Sequence, residues 1–283
     1  MRALILGAGN MGRAIRSALE ARGDEVVAML GRPAADRAEW PGPAELGAVD
    51  VAFEFSHAST VVPNLEYALT TGCRSIVVGT TGWTAEPGLV VELERRLVAV
   101  GAKAVIAPTY SLGAVLFAEL AVEAARLFGR FADYDPYVFE WHRRGKADRP
   151  SGTALAIAER LIPHLPSKRR ARLADGPGAP ALDTLEVVAL RAGASPGMHV
   201  VGFDAPGESL ELRITARDRS PYVAGALLAA DRLLVHPDCA PGLTPFDVLV
   251  RELVDTDAKA EADAGAAAET DTEPIEIPTR AIA

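Results

Sequence analysis

Residues 7–12 read Gly-Ala-Gly-Asn-Met-Gly, a G-x-G-x-x-G placed between an apolar run at Ala3–Leu6 and a helical pattern over 11–22. Each glycine in such a stretch has its own task. Gly7 permits the tight turn, Gly9 lets the backbone approach a pyrophosphate, and Gly12 lets helix and strand pack closely. Asn10 and Met11 lie in the turn itself, where the helix N-terminus offers free N–H groups to phosphate oxygens. An ordinary glycine turn has the same residues. The strand before, the helix after and a second strand at Glu25–Leu30 favour a bound nicotinamide dinucleotide.

The end of that second strand decides which dinucleotide is expected. It reads Met29-Leu30-Gly31-Arg32-Pro33, with no acid to accept from a ribose 2′-hydroxyl and with Arg32 available to a 2′-phosphate. The expectation is NADPH in preference to NADH; a solvated loop arginine is the plainer alternative for Arg32.

Further short apolar runs at Asp50–Phe55, Ser75–Val78 and Ala104–Ala107 alternate with helical patterns near 59–71, 85–99 and 112–128. Strands that are apolar throughout and alternate with helices predict right-handed βαβ units and a parallel sheet covered on both faces. After about residue 130 the pattern changes. Tyr137–Trp141, Thr184–Arg191, His199–Phe203 and Ser209–Thr215 read as strands, with a helix at 151–165 and helices again at 219–235 and 246–254. Residues 166–182, rich in Pro, Gly, Lys and Arg, are expected to form a loop or mobile excursion.

The expected fold is therefore α/β. It has an N-terminal Rossmann-type parallel sheet (1–110, completed by 219–254) and a second α+β domain with an open mixed sheet (111–218). Residues 255–283 carry eight acids and two bases, which is six of the nine net negative charges of the chain. That segment has no aromatics and is expected to be a disordered acidic tail. No basic excess suggests a nucleic-acid partner, and no apolar run is long enough to span a bilayer. The apolar start is too short for a secretory signal and runs straight into the glycine motif, so a cytoplasmic location is expected. Cys73 and Cys239 lie far apart and show no metal-ligand pattern.

Two more turns fall after expected parallel strands, where open α/β sheets bind ligands: Gly79-Thr80-Thr81-Gly82 and Ala107-Pro108-Thr109-Tyr110-Ser111. Both are candidates to line a nicotinamide pocket, although plain loops look the same. The richest stretch is Glu140-Trp141-His142-Arg143-Arg144-Gly145-Lys146-Ala147-Asp148-Arg149-Pro150-Ser151-Gly152-Thr153-Ala154, a strand end running into a helix. Ser151 is a natural N-cap. The N–H groups of Gly152 and Thr153, with the Thr153 hydroxyl, form an anion site, and Lys146 adds a full charge. His142 supplies an imidazole, a side chain suited to proton transfer. A basic surface turn before a capped helix is the bland reading of the same residues.

This stretch resembles the signature of the bacterial dihydrodipicolinate reductase (4-hydroxy-tetrahydrodipicolinate reductase) family, roughly E-x-H-H-x-x-K-x-D-x-P-S-G-T-A. The resemblance extends to Gly7–Arg13, Gly79–Gly82, Ala107–Gly113, Arg191-Ala192-Gly193 with Gly197 and His199, and Gly242-Leu243 with Asp247-Val248-Leu249. Position by position it implies His142 as proton donor and Lys146, Gly152 and Thr153 as ligands of the substrate carboxylates. It places Gly7, Met11, Arg32, Gly79, Thr81 and Thr109 against the dinucleotide and Arg219 near the active site. It also implies a homotetramer built through the sheets of the second domain. Arg143 stands where the family has a second histidine, and Thr109 where it usually has Asn, which leaves room for a related substrate.

The leading expectation is NAD(P)H-dependent reduction of a cyclic unsaturated dicarboxylate. An amino-acid or imine dehydrogenase of the same architecture is the second. A non-catalytic nucleotide sensor is the third; it needs the glycine motif but not His142, Lys146 and the anion site together.

Overall fold

The computed structural model describes residues 1–31, 40–236 and 239–255. Arg32 and all of the expected acidic tail beyond Asp255 lie outside the described residues. Asp255 itself is helical.

The chain opens with β1 (Arg2–Leu6), α1 (Asn10–Arg22) and β2 (Glu25–Leu30), followed by the short α2 (Pro43–Leu46). It continues with β3 (Val51–Glu54), α3 (Val61–Thr70), β4 (Ser75–Val78), α4 (Pro87–Ala99) and β5 (Lys103–Ile106). These strands are all parallel and lie in the order β5-β4-β3-β1-β2. Order reverses between β1 and β3, so the carboxyl ends of those two strands form the crevice where such sheets take ligands. Successive residues of β1 supply both cores. Ala3 and Ile5 join α1 on one face, and Leu4 and Leu6 join α3 and α4 on the other. Helix α1 buries Gly12, Ile15 and Leu19 on one stripe and stops at Gly23, whose left-handed backbone (φ +82°) returns its N–H to Glu20 and Leu19.

Helix α5 (Leu112–Phe128) leaves the first sheet and enters the second unit. Val115 packs in the core of the first sheet, whereas Phe117, Ala121 and Ala125 pack in that of the second. The second unit holds β6 (Asp135–His142), α6 (Gly152–Leu161), β7 (Arg170–Leu173), β8 (Thr184–Arg191), β9 (Met198–Ala205) and β10 (Glu208–Thr215). Its sheet runs β10-β9-β6-β8-β7, antiparallel on one side of β6 and parallel on the other. It is mixed, as expected.

The chain then returns to the first sheet. Helix α7 (Ser220–Val235) packs Val223, Ala226, Ala229, Ala230 and Leu233 beside α1. Strand β11 (Gly242–Pro245) adds itself to β5 as a sixth parallel strand. Helix α8, over 246–255, sends Phe246, Leu249 and Val250 into the same core.

Two strands differ from expectation. Residues 166–182 are not wholly a loop, because Arg170–Leu173 pairs with β8. Its Arg-Ala-Arg-Leu alternation is a strand pattern, but it is short, charged and at the sheet edge, where apolar runs are not needed. Strand β11 is hidden by its own Gly242 and Pro245, which a sheet accepts at an edge.

Candidate active site

At the end of β1 the backbone of Gly7 turns with φ +125°, and a Cβ there would stand 2.1 Å from the Phe55 carbonyl oxygen. A Cβ on Gly12 would stand 1.8 Å from the Gly7 carbonyl oxygen. Only glycines allow this packing. Gly9 is the N-cap of α1 and offers no side chain to its first turn, so those N–H groups remain for a ligand. Space beside Gly9 is open. A cradle of bare N–H groups at a helix start and a strand switch point fits the pyrophosphate of a dinucleotide. Thr80 holds the neighbouring turns together by accepting the Ser56 N–H at 2.7 Å. Beneath it lies Glu54, fully buried, whose carboxyl burial pushes above the usual range although Ser56, Thr80 and Asn64 donate to it.

From this crevice a cleft of about 1850 Å³ opens toward the second sheet. Asn10, Thr80, Thr81 and Thr109 line it from the first unit, and His142, Lys146, Ser151, Gly152 and Thr153 from the second. Arg219 lines it too, and also a side pocket of about 220 Å³ shared with Met11, Gly79 and Thr109. Thus the expected residues among those described converge on one place, except that Gly7, Gly9 and Gly12 shape the turn rather than the cleft wall.

The second-unit side is built on β6, whose alternate residues Val138, Glu140 and His142 are all buried. Glu140 is wholly buried and accepts the Ser151 backbone N–H at 2.8 Å, the Ser151 hydroxyl and the Arg191 guanidinium at 2.7 Å. His142 Nε2 lies 3.2 Å from the same carboxylate, an ion-pair contact rather than an aligned hydrogen bond. Burial alone would raise the Glu140 pKa, but the His142 contact and the bonds from Ser151 and Arg191 win and hold it well below the usual carboxylate range. His199, opposite Glu140 on β9, stacks edge-on to His142 with ring centres 5.2 Å apart. Burial, then the neighbouring His142, pushes the His199 imidazole down to about 4.

Glu140, His142 and His199 have metal-ligand chemistry and lie close together. A cation already occupies that carboxylate, however, in the form of Arg191, and both Glu140 oxygens already accept hydrogen bonds. The arrangement suits a proton network better than a metal ion.

Ser151 caps α6 by accepting the Ala154 N–H at 3.2 Å, which leaves the first-turn N–H groups of Gly152 and Thr153 at the cleft. Lys146 lines the same cleft, 2.7 Å from Asp148. A positive helix end next to an ammonium group binds carboxylate, and a histidine alongside can deliver a proton.

Residues 1–109 match the family Dihydrodipicolinate reductase, N-terminus, and residues 113–249 match Dihydrodipicolinate reductase, C-terminus. The chain belongs to the dihydrodipicolinate reductase family. It is an NAD(P)-dependent oxidoreductase with a nucleotide-binding first domain. The dipicolinate-bound dihydrodipicolinate reductase from Paenisporosarcina sp. TG-14 is similar at a TM-score of 0.65 and 20% identity, over 87% of this chain and 97% of that one. C. glutamicum DAP dehydrogenase in complex with DAP gives 0.49 and 16%, over 87% and 92%. Amine dehydrogenase from Mycobacterium smegmatis gives 0.49 and 14%, over 87% and 95%. These likenesses concern the fold.

Reasoning from sequence gave no role to Glu140, Arg191 or His199. All three stood within the stretches that resemble the family. Only the strand registers, pairing His142 with Arg191 and Glu140 with His199, bring them together.

Proposed function

We propose that the protein reduces 4-hydroxy-tetrahydrodipicolinate (dihydrodipicolinate) to tetrahydrodipicolinate, in lysine and diaminopimelate biosynthesis. The observation that carries this reading is the meeting, in one cleft, of His142, Lys146 and the bare start of α6 with the glycine turn after β1. The reduced nicotinamide dinucleotide supplies a hydride when bound. Lys146, Gly152 and Thr153 would hold a substrate carboxylate, and Arg219 adds positive charge at the side pocket it shares with Met11, Gly79 and Thr109. So placed, the ring lies next to His142, which gives its proton where negative charge develops on reduction.

The experiment is a coupled assay that feeds the product of dihydrodipicolinate synthase to the enzyme and follows NADPH consumption. Turnover of that product, with none on 2-oxo acids plus ammonia, supports the reading. The reverse pattern makes the protein an amino-acid or imine dehydrogenase. Arg143 in place of the family's second histidine, at the cleft wall, gives that alternative its motive.

NADPH is the proposed preferred cofactor, with NADH tolerated, because the end of β2, Met29-Leu30-Gly31-Arg32-Pro33, has no acid to repel a 2′-phosphate. The test is kcat/KM for both cofactors in the wild type and in Arg32→Ala, where only the NADPH value should drop. We also propose a homotetramer. Val188 and Leu190 are exposed apolar side chains on β8, and covering them suits a partner subunit. Analytical ultracentrifugation tests it. Among the described residues no helix is long and apolar enough to cross a membrane.

A further inference from the structure

The Glu140 carboxylate makes four close contacts on the second-unit side of the cleft. Two of its contacts go to Ser151, one to the backbone N–H and one to the hydroxyl, and Ser151 is the residue that starts α6. A third goes to Arg191, whose guanidinium also donates to the Asp148 carbonyl oxygen at 2.5 Å. Asp148 in turn holds Lys146. The fourth is the contact with His142 Nε2. One buried group therefore reaches the histidine, the helix start and the lysine loop.

We propose that Glu140 is a positioning residue whose buried charge fixes the His142 imidazole, the anion-binding start of α6 and the Lys146 loop at one spacing. The proposal rests on the reading of His142 as proton donor and goes one step behind it. Nε2 of His142 is buried and faces the carboxylate, so Nδ1 is the ring nitrogen left to serve the cleft. A carboxylate at Nε2 favours a proton on that nitrogen. The ring can then lose its Nδ1 proton to the substrate and remain in a tautomer that Glu140 stabilises. An amide nitrogen in the same place offers a donor where an acceptor is needed. It favours the opposite tautomer and removes the negative charge that balances Arg191. Titratable and charged groups around the imidazole are His199 on β9 and Arg191 on β8, with the Lys146–Asp148 pair in the loop that lines the same cleft.

The test compares wild type, Glu140→Gln, Glu140→Asp and His142→Gln in the coupled assay, with the dinucleotide Kd and Tm measured alongside. Glu140→Gln is expected to lose kcat on the order of 10- to 100-fold, as the loss of an outer-shell partner of a working histidine does. Its dinucleotide Kd should not change, and the alkaline limb of its kcat/KM profile should move to lower pH. Glu140→Asp keeps the charge but draws it back. It should recover part of kcat and keep the alkaline limb of the wild type. If Glu140→Gln does not fold, Glu140→Asp decides: reduced kcat with unchanged dinucleotide Kd supports the proposal, and wild-type kcat overturns it. A folded Glu140→Gln with normal kcat and profile overturns it too, as does a loss shared equally with dinucleotide binding. The two readings fail separately. Normal turnover by His142→Gln removes the proton donor itself, whereas an inactive His142→Gln beside a normal Glu140→Gln removes only the positioning role.

Discussion

Gly197 and His142 face each other so closely that a Cβ on Gly197 would lie 3.0 Å from the imidazole Cε1 and 3.2 Å from Nδ1. The ring is therefore walled on one side by bare backbone and on the other by Glu140. A methyl group at 197 must push the imidazole off its line. Gly197→Ala is expected to lower kcat by about tenfold or more while dinucleotide affinity stays constant, since misplacement of a reacting group alone is that costly. Steady-state kinetics with a fluorescence titration of NADPH checks both halves.

His142→Gln removes the proposed acid and keeps the volume. A fall in kcat of about 10²-fold or more is expected, with the dinucleotide Kd unchanged. Near-normal turnover would assign the proton to another group.

Lys146 is a point charge at the proposed anion site, already neutralised in part by Asp148. It should support substrate in both ground and transition states. Lys146→Met is expected to raise KM and reduce kcat, at a combined cost of about 2–5 kcal/mol in kcat/KM. Inhibition by pyridine-2,6-dicarboxylate should weaken in step. An unchanged KM and inhibition constant would place the ammonium outside the site.

Gly12→Ala sets a Cβ against the Gly7 carbonyl and must part α1 from β1. The expected result is a destabilisation of about 1–3 kcal/mol together with loss of dinucleotide binding. Calorimetry with and without NADPH measures the two effects, and intact binding would mean that the turn tolerates widening.

His199 protonates less readily folded than unfolded, at about 4 against the ordinary 6.5. The unfolded chain therefore takes up the proton first as pH falls. The contribution of His199 to stability is whole above pH 6.5 and is lost as pH drops toward 4, up to about 3 kcal/mol. The melting temperature should decline over that window, and His199→Gln should flatten the decline. A parallel decline in the variant would trace it to other groups, such as Glu140.

The sequence shows the first sheet almost strand for strand, because each buried parallel strand is a short apolar run closed by a turn. Ser75–Val78 and Glu25–Leu30 coincide with expectation to the residue. His142, Lys146 and Ser151 were legible as a site because they crowd into a dozen residues beside a helix start. Arg191 and His199 are far along the chain, and nothing local marks them as neighbours of Glu140. Their meeting is a property of register, which depends on the whole sheet. Strand β7 escaped notice for the opposite reason, having too little apolar character to look like a strand.

The parallel sheet is not made from consecutive chain. Strand β5 keeps one side unpaired until Gly242–Pro245 reaches it, and the core beneath lacks Phe246, Leu249 and Val250 until the same moment. During synthesis the first hundred or so residues must therefore wait, with a raw hydrogen-bonding edge, for the second unit to emerge and for the chain to double back. The first sheet is completed only by chain from beyond the second unit. A fragment ending near residue 109 should aggregate rather than bind nucleotide, and duplication or exchange of the first unit alone would not carry its ligand site with it.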